Sequence, residues 1–210
     1  MKLAGSVALV TGTDRGRGRH FATQLVHRDA AAVYAAARPG AGGGDVPGAI
    51  ALALDDAEPD AIAAAAETIG EVTVLVNTAD FPAAADPGAG HVDAVQRRIA
   101  ASYSSLLNLI RSFAPTLESG AGGVIVNVLS TLASGGNAVP NALITAVLFG
   151  PERTDMIAEV DLSRNDQAAV VRAVLDGIEA GDAEIIPDIL AAQAKANGVA
   201  GWTRAYRPLL

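Results

Sequence analysis

The chain has 210 residues, half of them hydrophobic, with 15 Lys and Arg against 23 Asp and Glu for a formal net charge of −8. That length supports one α/β domain with a full core and excludes two, and the acidic balance argues against a nucleic-acid partner, which requires clustered cations. Zero cysteines exclude disulfides and thiolate chemistry, three scattered histidines make no metal pattern, and no apolar run reaches bilayer length, so a cytoplasmic protein with no metal and no membrane contact is expected.

Short apolar runs alternate with longer helical patterns, the signature of βαβ units around a parallel sheet. Val7 to Val10 is the first strand, closed by Thr11-Gly12, and a helix follows from Gly16 to Arg28 with Phe21, Ala22 and Leu25 on its sheet face. Ala31 to Ala36 is the second strand, Pro39 to Gly48 a Gly-rich loop, and Ala49 to Leu54 the third strand. Pro59 opens the next helix, and Val72 to Val76 is the fourth strand. After a loop over 81–90, His91 to Glu118 reads as a long helix with the stripe Val95, Ile99, Leu106, Ile110, Phe113 and Leu117. Gly122 to Val128 is strand five, Thr131 to Asn141 a loop, and Leu143 to Leu148 strand six. Ser163 with Asp166 has the form of a helix N-cap, ahead of the stripe Val170, Val171, Val174, Leu175 and Ile178 that ends at Gly181. Ala183 to Ile186 is a seventh strand, and residues 198–210, with Trp202 and Tyr206, form a greasy tail expected to pack on the domain.

Three glycines in Thr11-Gly12-x-x-x-Gly16-x-Gly18, between a strand and a helix, permit a tight turn and let a pyrophosphate approach the positive end of that helix. With the succession of motifs that follows, the chain resembles the short-chain dehydrogenase/reductase family along nearly its whole length. The resemblance implies a Rossmann-like, doubly wound parallel sheet of six or seven strands. Arg15, and Arg38 after strand two, sit where members of that family that prefer NADP place cations for the 2′-phosphate, and no acidic residue ends strand two to claim a free 2′-hydroxyl. Asp55 matches the adenine-contacting Asp, with Asp56 in place of a usually apolar neighbour; Asn77 opens the motif after strand four, and Thr154 falls in the segment beside the carboxamide.

Other positions depart from the family. Its proton-transfer pair is a Tyr followed four residues later by a Lys, whereas Tyr34, Tyr103 and Tyr206 are followed at that spacing by Arg38, Leu107 and Leu210, and the only lysines are Lys2 and Lys195. Asn77-Thr78-Ala79-Asp80 stands for Asn-Asn-Ala-Gly, so Asp80 brings bulk and negative charge toward a polyanionic ligand. Ser130 matches the catalytic Ser, Ser102 replaces the Asn of the proton relay, and Tyr103 reads most simply as core. The crossover helix between strands five and six, which carries the Tyr and Lys in the family, is missing.

Losing that helix removes apolar cover from the sheet and the main family dimer interface. A hollow for a hydrophobic small molecule is expected, in a homo-oligomer with an interface unlike the usual one. The cofactor is NADP(H) or none. The first functional reading is a repurposed non-redox enzyme, a cyclase, isomerase, dehydratase or lyase acting on a bulky apolar metabolite such as a polyketide. Asp80, Ser130, Ser102, Tyr103, His91 or Glu152 supply its acid or base, and orientation of the ligand supplies part of the barrier. The alternatives are an NADPH-dependent reductase with another proton donor, and a non-catalytic partner of an active relative.

Overall fold

A computed structural model describes residues 2–41, 45–78, 103–119, 122–130, 142–149 and 166–187. Seven of the apolar runs are extended: β1 (Val7–Val10), β2 (Ala32–Ala37), β3 (Ile50–Ala53), β4 (Val74–Asn77), β5 (Gly123–Ser130), β6 (Ala142–Phe149) and β7 (Glu184–Ile185). They pair in parallel in the order β3-β2-β1-β4-β5-β6-β7, with the chain reversing direction across the sheet after β3. Every residue of β4 is buried, as a strand covered on both faces requires, while β3 at the edge is largely exposed and Ile50 leaves 49% of its surface open.

Among the described residues four helices cover the two faces. Helix α1 (Gly16–His27) and helix α4 (Gln167–Ala180) lie together on one, where Phe21 and Leu25 meet Val171, Val174 and Ile178 over the β1, β4 and β5 valines. Helix α2 (Pro59–Ile69) and helix α3 (Ser105–Ser119) cover the other, with Ile62, Ile69, Phe113 and Leu117 over Leu9, Leu75 and Ile125. Each fully buried Leu or Phe among these contributes about 1.5–3 kcal/mol of transfer free energy. Arg28, the C-cap of α1, ties the first pair through Nη1 to Glu179 Oε2 at 2.7 Å and through Nη2 to Asp176.

Several boundaries move from their expected places. The N-cap of α4 is Asp166 itself, whose Oδ1 accepts from Ala168 N at 3.0 Å, so Gln167 and not a residue nearer Ser163 begins the helix. Leu109, absent from the expected stripe of α3, is almost fully buried, whereas Leu106 lies at the margin. Pro115 interrupts the hydrogen-bond ladder of α3 on its exposed side. The Gly-rich connection from β2 to β3 carries no helix among its described residues. Instead Val46 packs into the core, and Gly48, at φ +82, lets the chain pass where a Cβ would strike Val26 of α1 at 2.8 Å.

The strand ends constrain the crossover from β5 to β6. Gly123 pairs with Ala142 and Ser130 with Phe149, so the chain must return the full length of β5, seven residue steps or about 23 Å, between Ser130 and Ala142. A helix rises 1.5 Å per residue and needs about fifteen residues for that reach. Only residues 131–141 are available, and they lie outside the described residues. The connection is long enough for an extended return and too short for a crossover helix the length of the strand.

Candidate dinucleotide site

At the carboxyl end of the sheet the order of strands reverses between β1 and β4, the place where open α/β sheets bind ligands. The turn from β1 to α1 is pinned there on both sides. Toward β2, Thr13 donates to Ala36 O from its backbone N (3.1 Å) and from Oγ1 (3.0 Å). Toward β4, Thr11 N donates to Val76 O at 3.0 Å, Thr78 N donates to Thr11 Oγ1 at 3.2 Å, and Thr78 Oγ1 donates to Thr11 O. The three threonines are buried, so the loop is held by satisfied polar groups. A threonine on each side of the first glycine was the sequence signal for this lashing, and the motif reading passed over it.

The three glycines of the motif have different work. At Gly18 a Cβ would lie 2.2 Å from Gly12 O, and at Gly12 it would lie 2.7 Å from Thr78 Oγ1 and 2.9 Å from Thr78 O, so both glycines serve close packing. Gly16, at φ +56, has only Gln167 Oε1 near an added Cβ among the described residues, at 3.9 Å. The side chain of the N-cap residue, Arg15, makes no capping hydrogen bond to α1. A helix start at such a glycine is a receptive place for an anion.

The remaining predicted binding residues line the same edge. Arg38 follows β2 and is exposed, and Asp55 follows β3 and is half-buried, with Leu54 N donating to Ala37 O at 2.9 Å between them. Asp55 Oδ1 accepts from Ala57 N at 3.1 Å, which turns part of its carboxylate toward the start of α2. Burial pushes the neighbouring Asp56 carboxyl above the ordinary carboxylate range; Asp55 and, more weakly, Asp14 push the same way, while Arg38 and a backbone hydrogen bond pull against them. Asn77, at the end of β4, is buried and donates through Nδ2 to Asn127 Oδ1 of β5 at 2.9 Å, leaving Asn77 Oδ1 buried without a partner. Asn127 was not anticipated. It meets Asn77 through the register of the two strands, which pairs Leu75 with Ile125 and then Asn77 with Asn127.

The catalytic candidates are less well gathered. Ser130 closes β5 at the same edge of the sheet. Tyr103 is not core: although its spacing continues the stripe, it precedes the start of α3 at Ser105 and leaves 66% of its surface exposed. Asp80, Ser102, His91, Glu152 and Thr154 lie outside the described residues, as do Ser163 and the tail over 198–210. Among the described residues no cluster of three or more His, Asp or Glu is arranged to hold a metal ion, and no helix is long and apolar enough to cross a membrane.

Comparison with known proteins agrees with this geometry. The profile of the family described as short chain dehydrogenase matches residues 6–142, ending at the first residue of β6. No curated protein matches the chain. Among solved structures, a short chain dehydrogenase from Burkholderia cenocepacia J2315 in complex with NADP is 29% identical, with a TM-score of 0.83 over 100% of this chain and 99% of that one. A short-chain dehydrogenase from Streptomyces avermitilis shares the fold at 17% identity and TM-score 0.80, covering 98% of both chains. So does a 7 alpha-hydroxysteroid dehydrogenase complexed with NADH and 7-oxo glycochenodeoxycholic acid, at 19% identity and TM-score 0.73 over 88% of this chain and 93% of that one. With the family profile spanning well over half its length and the glycine turn built at the switch point of a seven-stranded parallel sheet, the chain belongs to the short-chain dehydrogenase family.

Proposed function

We propose that this protein binds NADP(H) and carries out chemistry that does not use the family's Tyr and Lys proton relay. The observation that carries the first half is the glycine turn into α1 at the switch point of the sheet, with Gly16 at a left-handed φ and threonine ties on both flanks. Gly16 and the first turn of α1 would face the pyrophosphate, Arg15 and Arg38 the 2′-phosphate, Asp55 the adenine, and Thr154 the carboxamide. The NADP in the Burkholderia cenocepacia relative, similar to this chain from end to end, supports the choice of dinucleotide. When bound, the nicotinamide supplies or accepts a hydride.

A reduction of a carbonyl also needs a proton on the product oxygen. With no Tyr-x-x-x-Lys in the sequence, that proton must come from Asp80, Ser130, Ser102, Tyr103 or solvent. The same absence, together with a β5–β6 connection too short for the helix that carries the pair, favours a second reading: a cyclase, isomerase, dehydratase or lyase that holds a bulky apolar substrate in the space the helix would fill. In that reading the dinucleotide, if kept, is structural, and orientation with one acid or base does the work.

Titration of the protein with NADPH, NADP, NADH and NAD, followed by fluorescence and calorimetry, tests the first half. NADPH is expected to bind at least tenfold more tightly than NADH, and Arg38→Leu to collapse that preference. Silence toward all four would overturn it. Single-turnover mixing of bound NADPH with polycyclic ketones separates the two reactions: loss of the reduced nicotinamide signal supports reduction, while product formation without it supports the non-redox reading.

A further inference from the structure

Helices α1 and α4 run side by side, and the contacts between them change in kind along the pair. At the far end Arg28 pairs with Glu179 at 2.7 Å and with Asp176, and its Nη2 donates to Arg172 O at 3.3 Å. Along the middle Phe21 and Leu25 meet Val171, Val174 and Ile178. At the near end, where both helices begin, the contact is a single polar atom: Gln167 Oε1, 3.9 Å from the position a Cβ on Gly16 would take. Gly16 is exposed and Gln167 half-buried, and the Gln167 side-chain amide makes no hydrogen bond among the described residues. Helix α4 does not need that side chain for its own start, because Asp166 Oδ1 accepts from Ala168 N at 3.0 Å and Asp166 O accepts from Val170 N at 2.9 Å. Holding a long polar side chain half-buried with nothing to bond costs rotamer entropy and hydration, and nothing in the packing of α1 on α4 requires it.

We infer that Gln167 donates from Nε2 to the pyrophosphate of the dinucleotide, and that the ligand thereby becomes the third tie between α1 and α4. The inference rests on the reading that a dinucleotide binds at the glycine turn, and it adds to that site a residue from the other end of the sequence. In that reading the pyrophosphate lies against Gly16, and Gln167 is the side chain of another element within reach of that glycine. The amide presents its oxygen to Gly16, and turning it by half a revolution exchanges oxygen for nitrogen at little cost, because neither atom has a bond to break. A neutral amide suits the place. It donates to a phosphate oxygen, whereas a carboxylate of the same length would only accept and would repel the ligand.

Titration of the full chain with NADPH, read by nicotinamide fluorescence, and with 2′-AMP, which keeps the adenosine and a 2′-phosphate but has no pyrophosphate, isolates this bond without any turnover. Gln167→Ala is expected to weaken NADPH about tenfold, the size of one hydrogen bond to a charged group, and to leave 2′-AMP within about twofold of wild type. Gln167→Glu keeps the length of the side chain and replaces the donor by an anion, so it should weaken NADPH more than alanine does, with the excess shrinking as salt is raised. Urea midpoints of both variants should match wild type, since the amide bonds to nothing in the unliganded chain. Hydrogen exchange gives a second reading: at saturating NADPH the amides of Val170 and Val171, in the first turns of α4, should be slowed by a larger factor in wild type than in Gln167→Ala. Equal NADPH affinity in wild type and Gln167→Ala, or equal weakening of NADPH and 2′-AMP, overturns the assignment of Gln167 and leaves the dinucleotide reading standing. Failure of wild type to bind NADPH overturns both.

Discussion

The two ends of the carboxyl edge of this sheet have kept different amounts of their inheritance. At the β1, β2 and β3 end the glycine turn is complete, tied by Thr11, Thr13 and Thr78 and closed by a packed Gly18. At the β5 and β6 end the crossover is too short for a helix the length of the strand, and the sequence holds no Tyr followed four residues later by a Lys. A nucleotide cradle is made of backbone and small residues whose positions are fixed by sheet packing, so it survives as long as the fold does. A proton relay is made of a few side chains on one element, and deleting that element removes it without unfolding the sheet.

The sharpest way to break this contrast is to damage the cradle through packing alone. In Gly18→Ala a methyl would meet the Gly12 and Thr11 carbonyl oxygens at 2.2 and 2.8 Å, a backbone clash that the turn cannot relieve locally. A loss of about 3 kcal/mol of stability is expected in urea unfolding, with nucleotide binding lost as well. Gly16→Ala meets no such neighbour among the described residues and should lose about 1 kcal/mol for its left-handed backbone, but it should weaken nucleotide binding out of proportion. Equal stability losses in the two variants would mean that Gly16 also serves packing.

Next in size is the amide pair that links the two ends. Asn127→Leu strands the buried Asn77 amide, at a cost of about 1–3 kcal/mol, whereas the double variant Asn77→Leu with Asn127→Leu should recover most of that loss because neither polar group remains. Additive losses in the double-mutant cycle would show that the pair is not a unit. A smaller effect is expected across the α1–α4 face, where Arg28→Ala removes two ion pairs whose partners are substantially exposed. The expected loss is about 1 kcal/mol or less, shrinking as salt is raised.

The sequence was most readable where one periodicity or one residue type decides the outcome. The boundaries of β1 and α1 and the start of the Pro59 helix follow from β-branched runs, helical spacing and a proline at the first turn, and they stand within a residue of expectation. It was less readable where two elements must meet. Asp166 caps α4 because its own carboxylate reaches Ala168 N, and Tyr103 stays exposed because α3 begins after it. The Asn77–Asn127 bond and the Thr78 tie depend on strand order, which no local pattern states. The glycine turn was legible from its motif, but the separate duties of its glycines were not, since these depend on which carbonyl lies opposite each one.

The smallest expected effect probes the cradle end through its charges. In the folded chain Asp56 holds its proton more tightly than a free carboxyl, first because of burial and then because of Asp55, so the folded state binds more protons than the unfolded chain over the interval between the two values. The stability owed to the protonated form is full below the ordinary value of 3.8 and is lost as pH rises through the raised one. Asp56→Asn removes that loss. The variant should therefore be more stable than wild type near neutral pH, with the advantage fading as the pH is brought down toward 3.8, a slope measurable by urea unfolding at a series of pH values. A variant less stable than wild type at neutral pH would mean that the attraction of Arg38 outweighs burial and repulsion. Asp56 would then be a structural anchor of the β3 end.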